Sequence, residues 1–219
     1  MEPEKFKLAD LIDGIVIPII LVVLIFVLAV YVNPTGQHHV LGETNVIAVI
    51  LTQGFAQMIV LGVPLILGLL WNKWAGGAAG FIMGGMYYVA SAGQYNGLYA
   101  SMGVTAYNFF GDISMLFYLV NAVIIGYMAG SLSKGSTNFK RMLGASLTAA
   151  ITTAIIQAFM NYNVALEPGR MMAQNSWATD PVMAVVINFV PSIALGIIVP
   201  ILAKVMTWYG IQPMKHYAS

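Results

Sequence analysis

The chain has 219 residues, 59% hydrophobic and 8% charged, with a net charge of +1 and a mean hydropathy of +0.83. A water-soluble domain carries roughly 25% charged residues, so this sequence cannot clothe a solvent-facing surface and reads as an all-α integral membrane protein. It has no cysteine, which removes disulfide and thiolate chemistry, and its near-neutral balance gives no electrostatic case for nucleic acid.

Taken in chain order, six stretches meet the requirement of about 20 apolar residues per span: residues 11–32, 45–70, 75–95, 107–132, 142–163 and 181–208. The first follows MEPEKFKLADLIDG and has no small-residue cleavage site after it, so it is expected to be a retained helix and not a signal peptide. The third is the least apolar. Helices are expected because backbone groups in lipid must be satisfied within their own segment, and no ten-residue alternating strands suggest a barrel. Without a polar domain, long linker or low-complexity tract, residues 1–219 form a single transmembrane domain, a compact bundle of six transmembrane helices.

The basic residues orient it. With the N-terminus inside, the inner segments hold Lys5, Lys7, Lys73, Lys134, Lys140, Arg141, Lys204 and Lys215, and the outer segments hold only Arg170. Both termini are therefore expected in the cytoplasm, with the chain multi-pass in the plasma membrane.

Small residues recur at helical spacing. Gly76, Gly80 and Gly84 line one face of the third span, Gly126 and Gly130 the fourth, and Ala150, Ala154 and Ala158 the fifth. Such a face lets another backbone approach closely, either within the bundle or on a partner membrane subunit. Spacing alone leaves both readings open.

Polar residues are one-sided in depth. The inner halves of the spans are nearly all aliphatic. The outer halves carry Tyr87, Tyr88, Ser91, Gln94, Tyr95 and Asn96, then Tyr107, Asn108 and Asp112, then Gln157, Asn161, Tyr162 and Asn163, and finally Asn188. Facing hydrocarbon would be costly for each, so they are expected to turn inward onto one another or onto a cavity; interfacial tyrosines and amide caps are the alternative. The candidate ligand set is Tyr88, Gln94, Asn108, Asp112, Asn161 and Asn188, suited to a small molecule bearing amides, hydroxyls or a ring nitrogen, on which tyrosines could stack. Asp112, in FFGDISM, is either a ligand carboxylate or an acid favoured by a helix N-terminus; Asp13 needs only the latter account.

His38, His39 and Glu43 lie together on the first outer loop, and adjacent side chains rarely chelate one metal, so a solvated loop is expected. No G-x-S-x-G, H-E-x-x-H or Walker A motif is present, so the chain is expected to be no enzyme, with no cofactor. A channel would need a polar stripe through the full depth, which the aliphatic inner halves oppose.

The passage VPLILGLLWNKWAGGAAGFIMGG resembles the second-to-third helix region of the substrate-binding S components of energy-coupling-factor (ECF) vitamin transporters. LVNAVIIGYMAGSLSKGSTNFKRMLGASL is similar to their fourth helix, basic inner turn and fifth helix, and AFMNYNVALEP to the outer end of that fifth helix. The likeness covers residues 61–168. It implies a protein that captures a vitamin or cofactor precursor from outside, while a transmembrane coupling subunit and two ATPases drive its release inside. The alanine seam usual on the first helix of such proteins is absent, Ala29 being the only alanine of residues 13–32, and an N-terminal Met-His, as in the nickel and cobalt branch, is absent too. The rival expectation is a non-catalytic structural subunit of a larger membrane enzyme complex.

Overall fold

Short polar side chains between apolar runs set the helix boundaries. The computed structural model describes residues 20, 56–101, 108–166 and 169–209. In it α1 (Ala56–Leu70) and α2 (Lys73–Ser101) are separated only by Trp71 and Asn72. Asn72 Oδ1 accepts from the Trp74 and Ala75 amides, both at 2.9 Å, satisfying donors that the first turn of α2 would otherwise leave unmet. A 3-10 turn, Phe109–Gly111, precedes α3 (Ile113–Ser133), which Asp112 caps. Left-handed Lys134 (φ 49°) and Gly135 (φ 66°) end α3, and Asn138 then caps α4 (Phe139–Asn163) by accepting from the Lys140 amide at 3.0 Å. A short α5 (Gly169–Thr179) leads to α6 (Pro181–Trp208), whose opening proline occupies the one turn where a missing N–H costs nothing.

Every regular element among the described residues is helical. α3, α4 and Ala184–Trp208 of α6 are long and apolar enough to cross a membrane, and α1 contributes a shorter apolar helix, Met58–Leu70. α2 is long enough at 29 residues, but its glycines and paired tyrosines keep it out of that set. The span expected from residue 107 starts instead at Ile113, because Asn108 and Asp112 divert the chain into the 3-10 turn. α5 is a helix where only an external segment was expected. The expected span 11–32 lies outside the described residues except for Ile20, as do residues 45–55 and both termini.

α3 is the central helix. α2 packs along one side of it, α1 and α4 on others, and α6 closes against α4 and α1. The α2–α3 contact is made of backbone. A Cβ on Gly76 would sit 2.5 Å from the Gly126 carbonyl oxygen and 2.8 Å from the Gly68 Cα. One on Gly80 would overlap the Ala122 carbonyl, and one on Gly84 would lie 2.8 Å from the Ala122 Cβ. Gly130 meets Asn72 and Lys73 in the same way. The glycines thus let three helices touch main chain to main chain, gaining dispersion and Cα–H···O contacts for which lipid does not compete. That face is occupied by the chain's own helices. On α4, Ala150 is buried against α6 at Gly196, Ala154 is buried beside the cavity described below, and Ala158 is half-buried.

The aliphatic core gathers Leu65 and Leu69 of α1, Ile125 and Ala129 of α3, Met142, Ala145 and Ala149 of α4, and Val199 and Ala203 of α6. It fills the end of the bundle where α1 turns into α2 and α3 into α4. At this end stand Lys73, Lys134, Lys140, Arg141 and Lys204. Arg141 Nε donates to the Leu132 carbonyl at 3.2 Å and Lys204 Nζ to the Thr137 carbonyl at 2.9 Å, fastening the loop between α3 and α4 to both neighbours.

The seam gives two glycines opposite responses to one methyl group. Gly80→Ala is expected to lower unfolding stability in detergent by about 1–3 kcal/mol, because the Ala122 backbone cannot yield. Gly144→Ala, on α4 where an added methyl meets no atom of the described residues within 4 Å, is expected to raise it by about 0.4–1 kcal/mol. Unfolding curves of both variants check the pair of signs.

Candidate functional site

At the end of the bundle opposite the basic loop, the packing opens. Here α6 begins, α4 ends, and the residues facing one another change from Leu, Ile and Ala to amides, tyrosines and a threonine. A cavity of about 480 Å³ lies between five helices. Its polar wall is Tyr87 of α2, Tyr118 and Asn121 of α3, Thr153, Gln157 and Asn161 of α4, and Asn188 and Ser192 of α6; Met58, Val60 and Leu61 of α1 and Leu195 of α6 line the rest. No charged side chain lines it among the described residues.

Three of the amides form one chain. Asn121 Nδ2 donates to Gln157 Oε1 at 2.7 Å, and Gln157 Nε2 donates to Asn161 Oδ1 at 2.9 Å. Helical spacing explains the second bond, because residues four apart share a face of α4. The first bond crosses from α3 to α4 and ties two spans together. Thr153 Oγ1 turns back onto its own helix, to the Ala149 and Ala150 carbonyls at 3.1 and 3.0 Å, and Asn188 Nδ2 does the same to Ala184 at 2.7 Å. The Tyr87 and Tyr118 rings meet edge to face with centroids 5.7 Å apart. Beside the cavity, Pro191 has no N–H to give the carbonyl four residues earlier, so α6 loses one ladder bond at this depth.

Of the residues the sequence singles out as ligands, Asn161 and Asn188 line this cavity. Asp112 does not. It is fully buried at the start of α3, where Oδ1 accepts from the Ser114 amide (3.0 Å) and hydroxyl (2.7 Å) and Oδ2 from the Leu166 amide (3.3 Å). Its carboxylate caps α3 and holds the segment leaving α4, leaving little acceptor capacity for a ligand. Asn108 is exposed and caps the 3-10 turn through the Phe110 amide at 3.2 Å. Tyr88 packs on Phe109 and Phe110, with centroids 5.0 and 5.8 Å away. Gln94 lies on α2 with its side chain outside what the structure describes, and His38, His39 and Glu43 are outside it altogether. Asn121, Tyr118 and Thr153 are the lining residues that a filter for helix ends passes over. The available signal is Asn121 itself, an amide in the middle of the apolar run FYLVNAVIIG, where an unpaired polar group is costly.

Among the described residues no cluster of three His, Cys, Asp or Glu could hold a metal ion. Compared with family models, curated proteins and solved structures, the chain matches none.

Because Asp112 bridges α3 and the end of α4, Asp112→Ala is expected to cost about 1–3 kcal/mol of unfolding stability, with Asp112→Asn, which keeps one acceptor oxygen, losing less. Detergent unfolding midpoints of the two variants check the order.

Proposed function

We propose that this chain is a non-enzymatic, substrate-binding membrane subunit that takes a small molecule into the cavity from the outer side of the membrane and passes it to partner subunits for ATP-driven uptake. The cavity carries the reading. Its volume lies within the range of small-molecule sites, about 300–1,000 Å³, and its wall joins aromatic and aliphatic surface to a few convergent amides, the usual make-up of such sites. The opposite end is packed solid and basic, which suits a pocket with one mouth and opposes a pore through the full depth. The positive-inside rule puts the basic end in the cytoplasm and the cavity outward, in a plasma-membrane protein with both termini inside. The resemblance of residues 61–168 to ECF S components supports the same reading.

Orientation is tested by cysteines at Thr137, in the basic loop, and Gln174, on α5. They are expected to label from opposite sides of intact cells, Gln174 from outside. Labelling of both from one side defeats the outward-facing cavity.

Ligand capture is tested by the thermal stability of the purified protein across a panel of vitamins and cofactor precursors. A true ligand at a hundred times its Kd is expected to add about 2.7 kcal/mol of stability and to saturate. Replacing Asp112 by Asn should leave that ligand's affinity unchanged, since the carboxylate is not in the wall. A well-folded protein that no compound stabilises, but that membrane partners do, would instead be the structural subunit of a larger complex.

A further inference from the structure

The amide chain is incomplete at its inner end. Asn121 is 4% exposed and lines the cavity about 12 Å along α3 from its start, well inside the apolar layer. Its Nδ2 is committed to Gln157, while its Oδ1 is buried and has no hydrogen-bond partner among the described residues. Buried polar atoms are nearly always paired, because one left unmet has lost its water without replacement. Two neighbouring groups in the wall turn elsewhere: the Thr153 hydroxyl to its own backbone, and one N–H of the Asn188 amide to Ala184. An occupant of the cavity that Asn121 lines would supply the partner that Oδ1 lacks. No cation is called for, since no charged side chain lines the wall among the described residues. Tyr87 and Tyr118, whose rings meet edge to face, both line the wall and give a flat occupant aromatic surface to pack against.

Resting on the ligand-binding reading above, we propose that Asn121 determines specificity: its Oδ1 accepts a hydrogen bond from an N–H or O–H of a neutral, planar, ring-containing ligand that packs against Tyr87 and Tyr118. The chain through Gln157 to Asn161 holds the Asn121 amide in place, so the acceptor is preset before the ligand arrives. Run in the opposite direction, the same three amides would present a donor at this point, and a ligand with acceptors alone distinguishes the two.

The test uses matched probes on the full chain in lipid nanodiscs, with empty nanodiscs as the partition control. Indole and 2-quinolone are compared by equilibrium dialysis with their N-methyl counterparts, and quinoline serves as the acceptor-only ring. Each N–H member is expected to bind at least about tenfold tighter than its methylated partner, the discrimination of a site built around one buried acceptor. In Asn121→Leu, of similar volume, the ratio should fall below about threefold as that one hydrogen bond is lost. The wild-type ratio decides the matter even where that variant does not fold. Equal affinities within the pairs, or a preference for quinoline, overturn the role of Asn121 and leave the cavity as a ligand site. Absence of saturable binding by every probe overturns both.

Discussion

Everything in this bundle depends on how closely α2 can approach α3. In a bilayer, where the proposed function places the bundle, a helix gains nothing by hiding an apolar side chain from a solvent that is equally apolar, so association would have to come from contact distance and packing. The glycines remove the side chains that would hold the two axes apart, and carbonyl oxygens of one helix then rest on the Cα atoms of the other. Gly68 brings α1 into the same contact. Glycine lowers the intrinsic helicity of α2 by roughly 1 kcal/mol for each residue relative to alanine, and the shared seam with two neighbours offsets that loss. A rigid three-helix wedge results, against which α4 and α6 dock with ordinary aliphatic side chains.

The wedge also explains where the bundle is hollow. Close backbone contact runs from the α1–α2 turn up to Gly84, and just beyond it the small residues give way to Met86, Tyr87 and Tyr88. Ring-bearing side chains at this level leave no room for the backbone contact that the glycines allow below. α4 contributes Thr153, Ala154, Gln157 and Asn161 at the facing positions, and none of them closes the gap. The cavity thus opens where α2 changes from small side chains to large ones, facing a polar stretch of α4. Its polarity fits the same picture, because amides that turn toward a cavity between packed helices avoid apolar surroundings.

Much of this architecture can be read from the residues. The α6 boundaries, the basic loop between α3 and α4, and the close-approach face at Gly76, Gly80 and Gly84 follow from hydropathy, charge and spacing, each a local property. The site is less legible, because a side chain's direction depends on helix rotation. One-sided enrichment of polar groups locates the right end of the bundle and includes Asn161 and Asn188, yet Tyr88 sits one residue from Tyr87 and faces Phe109 instead of the cavity. Asp112 misleads for a different reason. Buried acids invite a functional reading, but this one lies at a helix start, where backbone donors and the macrodipole satisfy it. Asn121 is hidden by depth, since a search at helix ends never reaches the middle of α3.

A wall with no charged side chain has an energetic meaning that its shape alone does not convey. Carrying one elementary charge across the membrane potential involves about 2.3 kcal/mol of electrical work per 100 mV. An occupant held by dipoles and ring faces, as between Asn121, Gln157 and the paired tyrosines, stays outside that account in either direction. On the proposed uptake role, the resting voltage would neither pull a neutral occupant in nor hold it back. On that role, the work of accumulation would fall on the helices themselves, and the close-packed α2–α3 pair and the proline-interrupted α6 both line the cavity.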